Sequence, residues 1–79
     1  MKRATSQQKE YARILMQKIE LPCGRDAVLS YSHRGAFTRI GVWNVQEFAM
    51  RIGMRVDTAL DELDVAQCAA LISTLKASL

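Results

Sequence analysis

The stretch DVAQCAALISTLK at residues 64–76 carries the clearest helical pattern in the chain. Asp64 is a favoured N-cap residue, and Gln67 three positions later can bond back to it, as in a capping box. Lys76 suits the negative end of the helix dipole. Apolar side chains recur between them at steps of three and four residues, as one helix face requires: Val65, Cys68, Ala69, Leu71, Ile72 and Leu75. We therefore predict an amphipathic C-terminal helix.

A similar pattern opens the chain. Thr5 is followed three residues later by Gln8, and a helical alternation of apolar and charged residues continues to Glu20. The Pro-Cys-Gly turn at 22–24 is expected to stop this helix, because proline cannot continue a helix and glycine favours its end. Residues 1–4 precede the cap and are expected to form a frayed tail.

A third capping pair, Asn44 with Glu47, predicts a helix in the middle of the chain. We expect this helix to end at Gly53 and to bury an apolar stripe of Val45, Phe48, Ala49 and Ile52. Asp57 then begins a short helical piece before the C-terminal helix.

Residues 25–43 fit two different structures. Asp26 could cap a short helix over 27–31, or these residues could form a β-hairpin with the apolar residues after a turn at 32–35. Because the rest of the chain is helical, we favour the helix. The prediction is one all-α domain over residues 1–79, a compact bundle of four to five short helices. A β-hairpin at 25–43 remains the alternative.

The composition is that of an ordinary globular domain, with 49% apolar and 24% charged residues. The longest uncharged run, residues 65–75, is too short for a membrane span, which needs roughly 20 apolar residues. No apolar run follows the basic start, so we expect no secretory signal and a cytoplasmic location. Cys23 and Cys68 are then expected to stay reduced, and they lie too far apart to suggest a metal site. We expect neither a metal ion nor a cofactor.

Charge is unevenly distributed along the sequence. Residues 1–39 hold eight basic and three acidic residues, a net charge of +5, whereas residues 40–79 hold three basic and five acidic residues, a net charge of −2. A basic half can meet phosphates or an acidic protein surface. A solvated face of the same charge would also simply keep a small protein soluble. The candidate contact residues in this half are Lys9, Arg13, Lys18, Arg34 and Arg39.

Residues 48–63 have the spacing of a helix-turn-helix, in which Gly53 would allow a tight bend and Ala49 a close helix crossing. Arg51 and Arg55 would then be the DNA contacts. The second helix of this motif, however, carries acidic side chains that DNA phosphates repel: Asp57, Asp61 and Glu62. A helical corner that serves only packing fits the same pattern.

Catalytic chemistry has few candidate residues. His33 is the single histidine, and no spacing joins it to a nucleophile and an orienting acid, so we expect no enzymatic activity. Protein binding has better candidates, because adaptable and aromatic side chains of this type anchor interfaces: Trp43, Met54, Met16 and Met50. Their alternative role is to complete the core. A methionine-rich face could also join two copies of the chain.

Three parts of the sequence carry a family resemblance: ATSQQKEYA at residues 4–12, VLSYSHR at 28–34, and VDTAL at 56–60 followed by AQCAALISTLK at 66–76. They resemble segments of a loose group of small helical proteins from phages, plasmids and bacterial genomes. Members of this group open with Thr-x-Lys-Gln before Tyr-Ala and a leucine-rich helix, and some contain a His-Arg stretch. Similar closing segments are appended to phage recombination and annealing proteins, and a similar opening occurs in some anti-CRISPR proteins.

The resemblance implies a fold rather than a set of functional residues. Its matched positions are mainly core and cap residues, and no functional residue is carried over from the group. Gln7 stands where the group usually has lysine, and Cys68 stands where serine is common.

The basic half and the resemblance together lead to a functional hypothesis. The chain is expected to be a non-enzymatic accessory protein of a phage or plasmid that binds a protein of nucleic-acid machinery, such as a CRISPR-type host defence effector or a recombination factor. Nucleic acid itself is a further candidate partner, and no membrane contact is expected. The alternatives are a DNA-binding helix-turn-helix regulator using residues 48–63 and a structural module that forms homodimers.

Overall fold

The computed structural model describes residues 2–24 and 26–79. Within them the chain forms five α-helices and one turn of 3₁₀-helix. In chain order these are α1 (Ser6–Lys18), the 3₁₀ turn (Tyr31–His33), α2 (Arg34–Ile40), α3 (Val45–Ala49), α4 (Val56–Asp61) and α5 (Val65–Ala77). Extended pairing in this part of the chain is limited to two isolated β-bridges. The prediction of a small all-α bundle is confirmed.

Three helices begin at the capping boxes that the sequence predicts. At the start of α1 the Thr5 hydroxyl accepts a hydrogen bond from the Gln8 N–H, and the Gln8 side chain accepts one from the Thr5 N–H, both at 3.1 Å. Such reciprocal bonds satisfy N–H groups that have no partner within the helix. The same arrangement begins α3 and α5, where it is formed by Asn44 with Glu47 and by Asp64 with Gln67.

The first helix ends earlier than the sequence predicts. Glu20 adopts a left-handed backbone conformation with φ 63°, and it is the one described residue other than glycine that does so. The N–H groups of Glu20 and Leu21 donate back to carbonyls in the last turn of α1 at 3.1 and 2.9 Å, which is a Schellman ending. The helix therefore stops at Lys18, before the turn at 22–24 that we expected to stop it.

Glycines with positive φ shape two later turns. Gly41 (φ 89°) caps the C-terminal end of α2. Gly53 (φ 87°) was expected to end α3, but that helix already ends at Ala49. Gly53 instead donates its N–H to the carbonyl of Leu29 at 2.7 Å, and glycine adopts such a conformation with little strain.

The prediction of a helix capped by Asp26 is wrong. The chain from Ala27 to Leu29 is extended, and it pairs with residues 53–56 through bonds such as Leu29 N–H to the Met54 carbonyl at 2.8 Å. Helix begins only later, at the 3₁₀ turn and α2. The alternative β-hairpin is also wrong for the described residues, because the partner of this extended segment is 53–56 and the residues after the 32–35 turn belong to α2. Arg25 lies outside the described residues.

The prediction of a frayed tail is also wrong for residues 2–4. Met1 lies outside the described residues. Ala4 donates its N–H to the Leu63 carbonyl at 2.9 Å, and the Lys2 carbonyl accepts from the Val65 N–H at 3.1 Å. The Ala4 side chain is buried. This pairing fixes the starts of α1 and α5 beside each other.

The core centres on three aromatic rings. Phe37 lies between Trp43 and Phe48, with ring centroids 5.2 and 5.3 Å from its own. Aliphatic side chains from α1, α2, α4 and α5 complete the core, and the molecule measures 30 × 25 × 22 Å. The longest helices, α1 and α5, have 13 residues each, and none of the described helices is long and apolar enough to cross a membrane.

Candidate functional site

Two of the three basic residues of α1, Lys9 and Arg13, form ion pairs within the fold. Lys9 forms an ion pair with Asp61, and Arg13 forms one with Asp57, so that residues four apart on α1 meet residues four apart on α4. Both cations are half-buried, whereas we expected them to lie on a free basic surface. Their positive charge is neutralised by carboxylates of the same molecule, and they hold α1 against α4.

The same ion pairs change the interpretation of the helix-turn-helix pattern. The acidic side chains Asp57 and Asp61 face α1, and α4 is only six residues long. Ala49, which we expected at a close helix crossing, is exposed. The segment before α4 is covered by its pairing with residues 27–29. This geometry disfavours α4 as a DNA-reading helix and favours a corner that serves packing.

The two arginines assigned to that alternative lie in different environments. The Arg51 guanidinium lies 4.7 Å from the centroid of the Trp43 ring and donates a hydrogen bond to the Glu47 carbonyl at 2.8 Å. Arg55 is exposed, and its backbone forms the bridge opposite Val28. Arg51 therefore belongs to the surface of the aromatic cluster, and the two side chains do not form a joint basic face along α4.

The remaining three predicted contact residues behave differently. Lys18 and Arg39 are exposed, Arg34 is half-buried, and none of the three forms an ion pair in the part of the chain that the structure describes. Arg34 lies 4.7 Å over the ring of Tyr31, whose side chain is 65% exposed. The structure thus keeps Arg34 and Arg39 available on α2, together with an exposed aromatic ring.

The sequence around α2 contains no carboxylate. Residues 27–46 include Arg34, Arg39 and His33 but neither aspartate nor glutamate. We call residues 27–46 the basic segment. A run of 20 residues without an acidic side chain leaves its positive charges uncompensated locally, so they act at longer range than paired charges do.

The predicted anchors are placed in or against the core. Trp43 is only 5% exposed and stacks against Phe37, so its prediction as an interface anchor is wrong. Met54 is half-buried and packs against the core cluster. Both residues therefore take the structural role that the sequence left open as their alternative.

Other apolar side chains are exposed instead, and of these the sequence pointed only to Met50. Met50 is 79% exposed, and Val45 and Ile52 are also exposed, although Val45 and Ile52 were assigned to a buried stripe of α3. Because α3 has only five residues, it turns too little to bury more than Phe48 on its core side. A helix this short gives no periodicity that could have found the exposed residues in advance.

His33 has a structural role at the start of the 3₁₀ turn. Its Nδ1 accepts a hydrogen bond from the Ser30 N–H at 3.2 Å and lies 3.3 Å from the Ser30 hydroxyl oxygen. That hydroxyl also lies 2.7 Å from the hydroxyl of Ser32. An imidazole in this arrangement caps a turn, as Glu or Gln does in a capping box.

The thiols and possible metal ligands show no assembled site. Cys68 is buried, and burial raises the pKa of its thiol, with nearby Lys9 acting in the opposite direction. Cys23 is half-buried, and both cysteines are free. Among the described residues, no group of three or more histidine, cysteine or carboxylate side chains could hold a metal ion.

Comparison with known proteins gives no relative for this chain: no family model, curated protein or solved structure matches it.

Proposed function

We propose that the chain is a non-enzymatic accessory protein of a phage or other mobile element. It works in the bacterial cytoplasm by binding an acidic surface on a protein of nucleic-acid machinery, such as a host defence effector or a recombination factor. The mobile-element origin is supported by the resemblance of the opening and closing segments to small phage and plasmid proteins. The mode of binding is supported by the distribution of charge.

One observation carries the proposal: some basic side chains form ion pairs with carboxylates of the same chain, whereas others do not. Lys9 and Arg13 are paired with carboxylates of α4, whereas Arg34 and Arg39 lie on a basic segment without acidic residues. Unpaired positive charge attracts an oppositely charged surface and increases the rate of association. Tyr31 adds a large exposed ring beside Arg34, of the type enriched at protein interfaces.

The small number of cations on the basic segment and at Lys18 favours a protein partner over nucleic acid. Proteins that bind DNA tightly make about 6 to 10 phosphate contacts. Arg34, Arg39 and Lys18 provide three, and the exposed ring of Tyr31 provides a short stacking surface for bases. Because affinity for nucleic acid grows with the number of neutralised phosphates, this surface would bind it only weakly. An acidic protein patch of similar size needs no long track of cations.

The proposal is tested with the charge-reversal variant Arg34→Glu/Arg39→Glu. The matched control is Lys2→Glu/Lys76→Glu, which changes the net charge equally at exposed positions near the two ends of α5. Tagged wild-type protein and both variants are incubated with nuclease-treated bacterial lysate at low salt, and each recovered protein is purified and tested again for direct binding.

We expect the wild type and the control to bind the same protein directly and the Arg34/Arg39 variant to lose it. Recovery of no protein partner by the wild type would contradict the proposal. Equal binding by the Arg34/Arg39 variant would show that the basic segment is not the contact. Loss of the partner after nuclease treatment, with recovery of nucleic acid before it, would identify nucleic acid as the ligand instead.

A further inference from the structure

A groove lies between α3 and α5. Its volume is about 210 Å³. The apolar part of its lining comes from Trp43, Leu63 and Leu71, together with Val42 and Ala70. Polar side chains complete the lining: Glu47, Arg51, Gln67 and Thr74. An apolar floor with a polar rim is the usual anatomy of a protein contact.

The most exposed large apolar side chain among the described residues lies close to this groove. Met50 is 79% exposed and follows Glu47, a groove residue, by three positions. Residues three apart on a helix surface are neighbours. A protruding flexible side chain and a recess thus lie side by side on one face, which we call the α3–α5 face.

We propose that the α3–α5 face binds a second copy of this chain in a two-fold dimer, with Met50 of each copy inserted into the groove of the other. In a two-fold contact the same patch is used on both molecules, so the patch must be complementary to itself. The exposed Met50 side chain and the adjacent groove meet this requirement. Methionine suits such a site because its unbranched side chain adapts to irregular spaces.

The charges of the face also fit a second copy. Glu47 and Arg51 have opposite signs and both line the groove, so a two-fold axis can place Glu47 of each copy opposite Arg51 of the other. The basic segment, in contrast, would repel its own copy because it carries positive charge without any carboxylate.

The size of the groove argues for a side chain rather than a small molecule. Pockets that bind drug-sized ligands usually have volumes of about 300–1,000 Å³. The groove between α3 and α5 is smaller than this, at about 210 Å³. The small side chain of Ala70 at its edge allows another helix to approach closely.

The test is the molar mass of the purified protein in sedimentation equilibrium at increasing concentration. The wild type is expected to rise from the monomer value of 8.9 kDa towards twice that value. Ala70→Glu places a charge at the edge of the groove and should raise the dimer dissociation constant about tenfold or more. Met50→Glu should act similarly. Both residues are exposed, so neither change removes a buried contact within the monomer.

The matched control is Ala69→Glu, which introduces the same side chain at a neighbouring exposed position of α5 that does not line the groove. This variant should dimerise as the wild type does. A wild type that remains monomeric at all concentrations would overturn the proposal, as would a dimer that Ala70→Glu and Ala69→Glu weaken equally. The Arg34→Glu/Arg39→Glu variant should keep its dimer, so failure of partner binding and failure of dimerisation are distinguished.

Discussion

At the scale of single residues, Glu20 shows how a side chain can occupy a position that suits glycine. It holds the left-handed conformation that ends α1, and in this position a residue with a Cβ atom is strained. Helix-ending patterns in the sequence pointed to Pro22 and Gly24, because glutamate gives no signal for such a turn. The actual ending depends on Leu21, whose buried side chain draws the chain back towards the core.

We predict that Glu20→Gly stabilises the protein by about 0.5 to 1 kcal/mol, because glycine relieves the strain of the left-handed conformation. Urea unfolding followed by circular dichroism measures the change. Gln17→Gly is the control, since the same residue placed inside the helix should destabilise by about 1 kcal/mol. A lower free energy of unfolding for Glu20→Gly would contradict the backbone account.

At the scale of elements, helix starts are more predictable than the contacts between helices. Each capping box is a local pattern of residues three apart, so Thr5, Asn44 and Asp64 could be identified from the sequence. The pairing of residues 27–29 with 53–56 joins segments far apart in the chain. Nothing in the short apolar run at 27–29 distinguishes such a pairing from a helix or a hairpin, so it became visible only in the structure.

The shortness of α3 leads to a contrast between two of its apolar residues. Phe48 is fully buried between helices, so Phe48→Ala should cost about 3 to 5 kcal/mol, which can unfold a domain of this size. Val45 is 55% exposed, and Val45→Ala should change the free energy of unfolding by less than about 0.5 kcal/mol. Thermal unfolding of both variants measures this. A similar loss for both would mean that α3 buries the stripe that the sequence suggested.

The ion pairs between α1 and α4 are tested by a double-mutant cycle. Arg13→Asp should destabilise the protein, because it places two like charges together, and the exchange Arg13→Asp/Asp57→Arg should recover part of the loss. Solvent reaches both side chains, so we expect a coupling free energy of only about 0.5 to 1 kcal/mol. The coupling free energy is obtained from the free energies of unfolding of the wild type, the two single variants and the double variant. Additive effects of the single changes would show that the pair is not formed.

At the scale of the whole molecule, the sequence indicates that charge is uneven but cannot tell which charges are free. Lys9 and Arg13 look as available as Arg34 and Arg39 until α4 is placed beside α1. The candidate contact surface therefore no longer includes the whole N-terminal half. It consists of the basic segment and Lys18. Likewise Trp43 is an anchor by residue type, but its packing with Phe37 places it in the core.

The salt dependence of binding tests the basic segment as a contact surface most directly. The dissociation constant of the directly binding protein partner is measured for the wild type and for Arg34→Glu/Arg39→Glu at low and at physiological ionic strength. We predict that the wild type binds more tightly at low salt, because exposed charges are screened as ionic strength rises. The variant should bind weakly, with little dependence on salt. Equal affinities for the two proteins at both ionic strengths would contradict the claim.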